Sequence, residues 1–370
     1  MKIINVKLGN PYALTIANGL LSNNVIAEFC KERANKIIII ADNIVAELYN
    51  QVLLNSFKKL ISDVTLLTFP SGEQNKNRKT KEFLEDKILE LGCGRDSLIV
   101  ALGGGVTTDL AGFIAATYCR GIKAVYVPTT LLAMVDASIG GKTAVNTSFG
   151  KNLIGAFYQP QAVFIDPSLL QTLPMNELKN GMVEIIKHAL IASKNEFDFI
   201  QNNKNAILSL QSDFLENMIN QSCMIKKEIV EQDERDFGIR QLLNFGHTIG
   251  HALESVGNYE LSHGEAVALG IVAESFISFT IGILSKQDFK SIRGLFRAYK
   301  IPVKLSKLYD RFAIKQALLL DKKSIEQKPR FVLIKSIGCA FIDNNNYVFE
   351  VPDHIIDDAL DVILYGCDLC

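Results

Sequence analysis

Residues 97–113 read SLIVALGGGVTTDLAGF. The run from Ser97 to Leu102 is apolar almost throughout and lacks period-two alternation, the pattern of a strand buried on both faces of a parallel sheet. Gly103, Gly104 and Gly105 follow. Without side chains they let a ligand approach the backbone, and a helix opening after them aims free N–H groups at an anion such as a pyrophosphate. The spacing is not G-x-G-x-x-G, so a plain strand-to-helix turn is the competing reading. Runs of the same kind span Lys36 to Ala41, Val64 to Phe69, Ala124 to Val127 and Ala162 to Ile165, separated by helix-like segments such as Asn77 to Leu91. This alternation predicts an α/β, doubly wound parallel sheet. Ligands of such sheets bind beyond the carboxyl ends of the strands, where Asp42 and then Glu73 with Lys76 stand. Carboxylates there accept hydrogen bonds from ribose hydroxyls, which together with the glycine turn favours a dinucleotide.

After Pro167 long helical segments dominate: Glu177 to Ser193, Asp213 to Glu231, Gln241 to Ser255 and Glu265 to Leu284. The boundary falls near Leu173-Pro174, giving an α/β domain over 1–173 and a helical domain over 174–370. A hairpin-like stretch, Arg330 to Glu350, and a final helix, Asp353 to Leu364, close the chain. No internal repeat or low-complexity segment is visible. Ala266 to Leu284 is long and apolar, but Glu274 interrupts it, so it reads as a buried helix and no membrane span is expected.

A length of 370 residues with 48% hydrophobic composition is enough for two domains with their own cores. The formal net charge of −1 supplies no global field for nucleic acid or an anionic membrane, so any anion must meet a local cluster. Seven scattered cysteines fit a reduced, cytoplasmic protein, and Cys367 and Cys370 read as part of a tail. No signal peptide is legible in MKIINVKLGN.

Three of the five histidines fall in NFGHTIGHALESVGNYELSHGE, residues 244–265. Imidazole binds borderline divalent metals and moves protons near neutral pH. His247 and His251 are four apart, which puts both on one helical face as a ligand pair, or leaves one in a core or hydrogen-bonding role. No glutamate is placed between them as a metalloprotease base. Lys142, Lys151 and Asn152 lie in GGKTAVNTSFGKNLIG, with Glu184, Lys187, Lys226, Asp236 and Arg240 further on. Such cations are often merely solvated. Around a cleft they would bind a substrate carrying both phosphate and carboxylate.

GGGVTTDLAGFIAATYCRGI, VPTTLLAMVDASIGGKTAVN, GKNLIGAFYQP, GMVEIIKHALI, LLNFGHTIGHALE and HGEAVALG occur in this order, and the chain resembles the 3-dehydroquinate synthase family of sugar-phosphate cyclases from about Asp42 to Lys323. The resemblance implies a Rossmann-like α/β N-terminal domain, an all-α C-terminal domain, a homodimer, NAD and a divalent metal, zinc or cobalt. By family pattern the metal ligands are Glu184, His247 and His263, with His251 facing the substrate. The NAD contacts fall on Asp42, on Ser71, Gly72, Glu73, Gln74, Asn75 and Lys76, on Gly104, Gly105, Val106, Thr107, Thr108 and Asp109, on Thr129 and Thr130, on Lys142 and Lys151, and on Leu169, Leu170, Gln171 and Thr172. The pocket for a small phosphorylated sugar acid falls on Asp136, Lys142, Asn152, Lys187, Lys226, Arg240, Asn244, His251 and one of Lys322 or Lys323. Arg120 matches an arginine that reaches the neighbouring subunit's site.

The implied reaction turns 3-deoxy-D-arabino-heptulosonate 7-phosphate into 3-dehydroquinate and phosphate, with NAD recycled within each turnover. Thr108 stands where glycine is common, Ile44 where asparagine is common, and Asp236 where glutamate is common. Two other readings stand beside this one: an aminocyclitol-type cyclase, which lacks the substrate carboxylate that Arg240 matches, and a binding protein without turnover. Relatives among the metal-dependent alcohol and glycerol dehydrogenases would release NADH.

Overall fold

The computed structural model describes residues 1–257, 260–320 and 328–366. Lys322, Lys323, Cys367 and Cys370 lie outside the described residues. The chain forms two compact units, Met1–Leu178 with Leu215–Lys227, and Lys179–Phe214 with Glu228–Cys370.

The first unit is built on nine strands: β1 (Lys2–Val6), β2 (Tyr12–Ile16), β3 (Lys36–Asp42), β4 (Asp63–Phe69), β5 (Ser97–Gly103), β6 (Lys123–Pro128), β7 (Lys142–Thr147), β8 (Gly150–Phe157) and β9 (Ala162–Ile165). Its helices are α1 (Val25–Lys31), α2 (Asn43–Lys58), α3 (Arg78–Glu90) and α4 (Gly105–Thr117). Seven strands form one sheet in the order β1-β2-β9-β6-β5-β3-β4, parallel from β2 to β4 with β1 antiparallel at the edge. All seven residues of β5 are buried, as are Ile37 to Ala41 of β3, so their apolar runs follow from burial on both faces. The chain winds outward from β3 to β4 and then returns past β3 to β5. With right-handed crossovers, α2 and α4 therefore lie on opposite faces. The carboxyl ends of β3 and β5 flank the switch point where such sheets bind ligands.

β7 and β8 form a separate antiparallel hairpin that the sequence pattern does not announce. Its glycines, threonines and asparagines carry no strong strand signal, but Gly155 is required there: a Cβ on it would overlap the Thr143 carbonyl oxygen across the ladder.

The second unit contains most of α5 (Met175–Ala192), then α6 (Lys194–Asn202) and α7 (Lys204–Leu208). The middle of α8 (Ser212–Gln232) belongs to the first unit, although the sequence reading placed all of it in the helical half. Next come α9 (His247–Val256), α10 (His263–Thr280), α11 (Lys286–Ala298), α12 (Arg311–Leu320), the short antiparallel pair β10 (Ile334–Ser336) and β11 (Cys339–Ala340), and α13 (Asp353–Leu364).

The helix expected over Gln241 to Ser255 is broken. A 3-10 turn, Ile239–Asn244, stops before Gly246, which adopts φ 79 and starts α9. Two features enforce the break. The Gly246 N–H donates to Glu274 Oε2 at 2.8 Å, and a Cβ on Gly246 would stand 2.8 Å from both the Ile271 nitrogen and the Val267 oxygen. α10 begins with a capping box in which the Ser262 side chain and Glu265 satisfy each other's backbone N–H groups. Among the described residues no helix is long and apolar enough to cross a membrane. Glu274, buried in α10, belongs to the packing of Gly246.

Candidate functional site

In the first unit the glycine turn opens α4. None of Gly103, Gly104 and Gly105 has a positive φ, so their role is space rather than a left-handed backbone. A Cβ on Gly103 would overlap the Thr107 side chain, and one on Gly104 would stand 3.0 Å from Thr130 Cγ2. Thr108 is buried, and its hydroxyl donates to the Gly105 carbonyl at 3.1 Å. The β-branched residue thus folds back onto the first turn of its own helix. Thr129 donates its N–H to the Gly103 carbonyl at 3.0 Å, and Thr130 Oγ1 accepts from Ala133 N–H at 3.2 Å. Asp42 Oδ1 caps α2 by accepting from Ile44 and Val45, each at 3.0 Å. The turn over Leu169 to Thr172 is tied to α2 by the Tyr49 hydroxyl, which lies 3.1 Å from the Leu169 oxygen and also contacts Thr172. Ile44 is 54% exposed, an apolar side chain at the mouth of this end of the sheet.

Lys76 is 4% exposed and reaches Asp109 Oδ2 at 2.5 Å and Asn152 Oδ1 at 2.6 Å. Burial alone would drag its pKa down, but the carboxylates of Asp109 and Glu73 outweigh that and hold it above the ordinary lysine range. Lys226 donates to the Asp136 carbonyl at 2.7 Å and pairs with the Asp136 carboxylate. Arg120 stands apart from this group. It occupies a left-handed turn, φ 50 at Cys119 and 64 at Arg120, at the far end of α4. The thirteen residues of α4, about 20 Å, run from Gly105 to that turn.

In the second unit Glu184, His247 and His263 come from three helices, and their donor atoms all lie within 4.8 Å of one another. Glu184 Oε1 is 3.7 Å from His247 Nε2 and 3.5 Å from His263 Nε2, while Oε2 pairs with the buried Lys187. Close helix packing makes this possible. A Cβ on Gly270 would overlap the Gly246 carbonyl, and one on Gly264 would stand 2.6 Å from Asn180 Cα. Gly270 therefore sets α10 against α9, and Gly264 sets it against α5 one turn from Glu184. Burial would depress the His263 imidazole, yet Glu184 and Glu254 overcome this and push it up to about 10. A metal ion in the cluster would take the place of that proton. His251 is near, its ring centroid 5.4 Å from that of His247, but it stands outside the three-residue group. Of the two readings left open for the His247/His251 spacing, the ligand pair is therefore not the one the geometry favours.

Arg240 is 2% exposed and sits in a loop organised by Asp233, whose carboxylate accepts the N–H groups of Phe237 at 3.2 Å, Gly238 at 2.6 Å and Arg240 at 3.2 Å. These bonds outweigh partial burial and hold Asp233 below the usual carboxylate range. Asp236 lies in this loop with φ 67, and Asn244 ends the 3-10 turn just before Gly246. Lys142 and Lys151 lie on the β7–β8 hairpin. Sequence reasoning missed Glu254, whose Oε1 is 3.6 Å from His263 Nδ1. A signal existed: His247, His251 and Glu254 follow the i, i+4, i+7 rule of one helical face.

Residues 66–180 match the family described as 3-dehydroquinate synthase N-terminal, and residues 181–324 match 3-dehydroquinate synthase C-terminal. The chain is 43% identical over 342 residues to a 3-dehydroquinate synthase of Desulforamulus reducens, covering 91% of this chain and 95% of that one. Among solved structures, 2-deoxy-scyllo-inosose synthase complexed with carbaglucose-6-phosphate, NAD+ and Co2+ superposes with a TM-score of 0.90 at 27% identity, covering 99% of this chain and 100% of the other. A 2-epi-5-epi-valiolone synthase from Streptomyces hygroscopicus with NAD+ and Zn2+ bound gives a TM-score of 0.87 at 27% identity, covering 98% and 99%.

Proposed function

From its membership of the 3-dehydroquinate synthase family, to which this chain belongs, we propose that it converts 3-deoxy-D-arabino-heptulosonate 7-phosphate into 3-dehydroquinate and phosphate, a step of aromatic amino acid biosynthesis. The observation that carries the reading beyond its relatives is the meeting of Glu184, His247 and His263. One carboxylate and two imidazoles are the donor set of a catalytic zinc site, and cobalt suits the same ligands. The glycine turn at the switch point likewise suits a pyrophosphate, because α4 offers free N–H groups there. Residues 1–173 then bind NAD and residues 174–370 bind the metal and much of the substrate. When bound, NAD supplies a reversible hydride acceptor, and the metal polarises the substrate hydroxyls.

The chain's own residues supply position and charge. Arg240, held in its loop by Asp233, suits the substrate carboxylate, since a planar guanidinium pairs with it bidentately. Lys142, Asn152, Lys187 and Lys226 hold the phosphate and hydroxyls, and His251 holds a proton at a substrate oxygen. Fixing one reactive conformer this way lowers the barrier by orientation, with no covalent attachment. No strong protein base is needed, because the departing phosphate takes up the proton from the neighbouring carbon. Arg120, at the end of the unit remote from the glycine turn, supports a homodimer in which it serves the neighbouring subunit. Five free cysteines among the described residues support a reducing, cytoplasmic setting.

The test follows phosphate and absorbance at 340 nm together, using metal-loaded protein, the heptulosonate phosphate and substoichiometric NAD+. Many equivalents of phosphate with no lasting NADH are expected. Stoichiometric NADH without phosphate would make the protein a dehydrogenase. Neither signal, with NAD bound, would favour an aminocyclitol-type cyclase, checked with glucose 6-phosphate as substrate.

A further inference from the structure

The family resemblance gives the turn Ser71–Lys76 to NAD, the proposed function gives Asn152 to the substrate, and the inference drawn here rests on both. Asn146, on β7, has no role in that reading, yet it touches both elements. Its backbone N–H donates to the Lys76 carbonyl at 2.7 Å, and its side-chain amide donates to Glu73 Oε1 at 2.7 Å. Its Oδ1 accepts the Asn152 N–H at 3.0 Å. Lys76 closes the ring from the other side by donating to Asn152 Oδ1 and to Asp109. Asn152 has φ 55, a backbone state that a residue with a side chain keeps when its surroundings determine it. Here the surroundings are two bonds, one from each arm of the ring. A carboxamide is needed at position 146, because it must accept on one side and donate on the other.

We propose that Asn146 is a positioning residue that couples the two ligands: by holding the Ser71–Lys76 turn and Asn152 in one hydrogen-bonded ring, it makes NAD tighten the substrate and the substrate tighten NAD by the same factor. Linkage requires that reciprocity. A residue that served folding alone would raise stability without producing it.

Two variants separate the arms. Asn146→Ala removes both side-chain bonds, whereas Asn146→Asp keeps an acceptor for the Asn152 N–H and sets a second carboxylate against Glu73. NAD affinity is read by calorimetric titration of the metal-loaded protein without substrate. The coupling factor is read from phosphate release over a matrix of NAD and substrate concentrations. Wild type is expected to show a factor of about 5 or more, the lower end of ordinary couplings. Asn146→Ala should bring it to about one while keeping the thermal midpoint of the wild type. Asn146→Asp should weaken NAD and abolish coupling, so that the substrate KM at saturating NAD rises by about the wild-type factor. A wild-type factor of one, or an Asn146→Ala protein that keeps the wild-type factor, overturns the inference. Activity that falls only in proportion to the folded fraction also overturns it. Wild-type protein that binds no NAD overturns the functional reading as well, and is told apart because the failure precedes any substitution.

Discussion

Glycine does opposite work in the turn that opens α4 and in the helices that carry Glu184, His247 and His263. At Gly103 and Gly104 the neighbours that a methyl group would strike are the side chains of Thr107 and Thr130. At Gly246, Gly264 and Gly270 they are mainly backbone atoms of another helix. The first arrangement keeps a turn open, and the second brings three helices close enough for Glu184, His247 and His263 to meet. A side-chain obstacle can be trimmed by a second substitution. A backbone obstacle cannot.

The largest expected effect tests that contrast directly. Gly270→Ala forces a methyl group into the Gly246 carbonyl, and overpacking of this kind should cost more than about 3 kcal/mol by denaturant titration. Wild-type stability in this variant would break the comparison. Glu184→Gln comes next. Chelator competition should show zinc affinity falling by more than the roughly 10–100-fold that an outer supporting residue is worth. Unaltered zinc content would remove Glu184 from the ligand set.

Glu196 sharpens the same point from the other side, being a buried carboxylate of the helical unit with no place in the metal group. Burial pushes its pKa from 4.5 up to about 7, and its Oε1 has no hydrogen-bond partner among the described residues. A raised carboxylate pKa means that the folded state binds the proton more tightly than the unfolded state. Stability from this group is therefore full below pH 4.5 and is lost as pH rises toward 7. Glu196→Gln should gain about 1–2 kcal/mol relative to wild type between pH 5 and pH 8, measured by urea unfolding at both. A gain toward acid pH instead would reverse the assignment. The smallest effect belongs to the turn. Gly104→Ala should cost about 1 kcal/mol, and Thr130→Ser, which removes the methyl 3.0 Å away, should restore most of it. Rescue that fails there would erase the distinction between the two uses of glycine.

The same distinction explains what was legible in the chain. The central strands β3 and β5 are buried on both faces, so their apolar runs are visible in one dimension. The β7–β8 hairpin is rich in glycine, threonine and asparagine, so it carries no strand signal in one dimension. Spacing could only set His247 beside His251, as ligand pair or not, because it sees only one helix. The partners of His247 sit on two others, and family resemblance, not periodicity, brought out Glu184 and His263. The break before α9 was hidden for a related reason: a glycine inside an apolar periodic segment is compatible with helix until Glu274 claims its N–H. Asn146 was overlooked because an amide side chain becomes distinctive only once its donor and acceptor are known, and Glu254, although it shares a helical face with His247, meets its partner His263 only across the packing of two helices.

The bond between Glu274 and Gly246 also bears on how this protein can be altered. Judged by its own sequence, α10 would be improved by leucine at position 274, which would complete an uninterrupted apolar face. Such a change would leave the Gly246 N–H buried without its acceptor, at a cost of about 1–3 kcal/mol, and would free the start of the helix that carries His247. Positions 246 and 274 are therefore one unit of inheritance, and a redesign that optimises the helical core residue by residue would give up the histidine's aim in exchange for greasier packing.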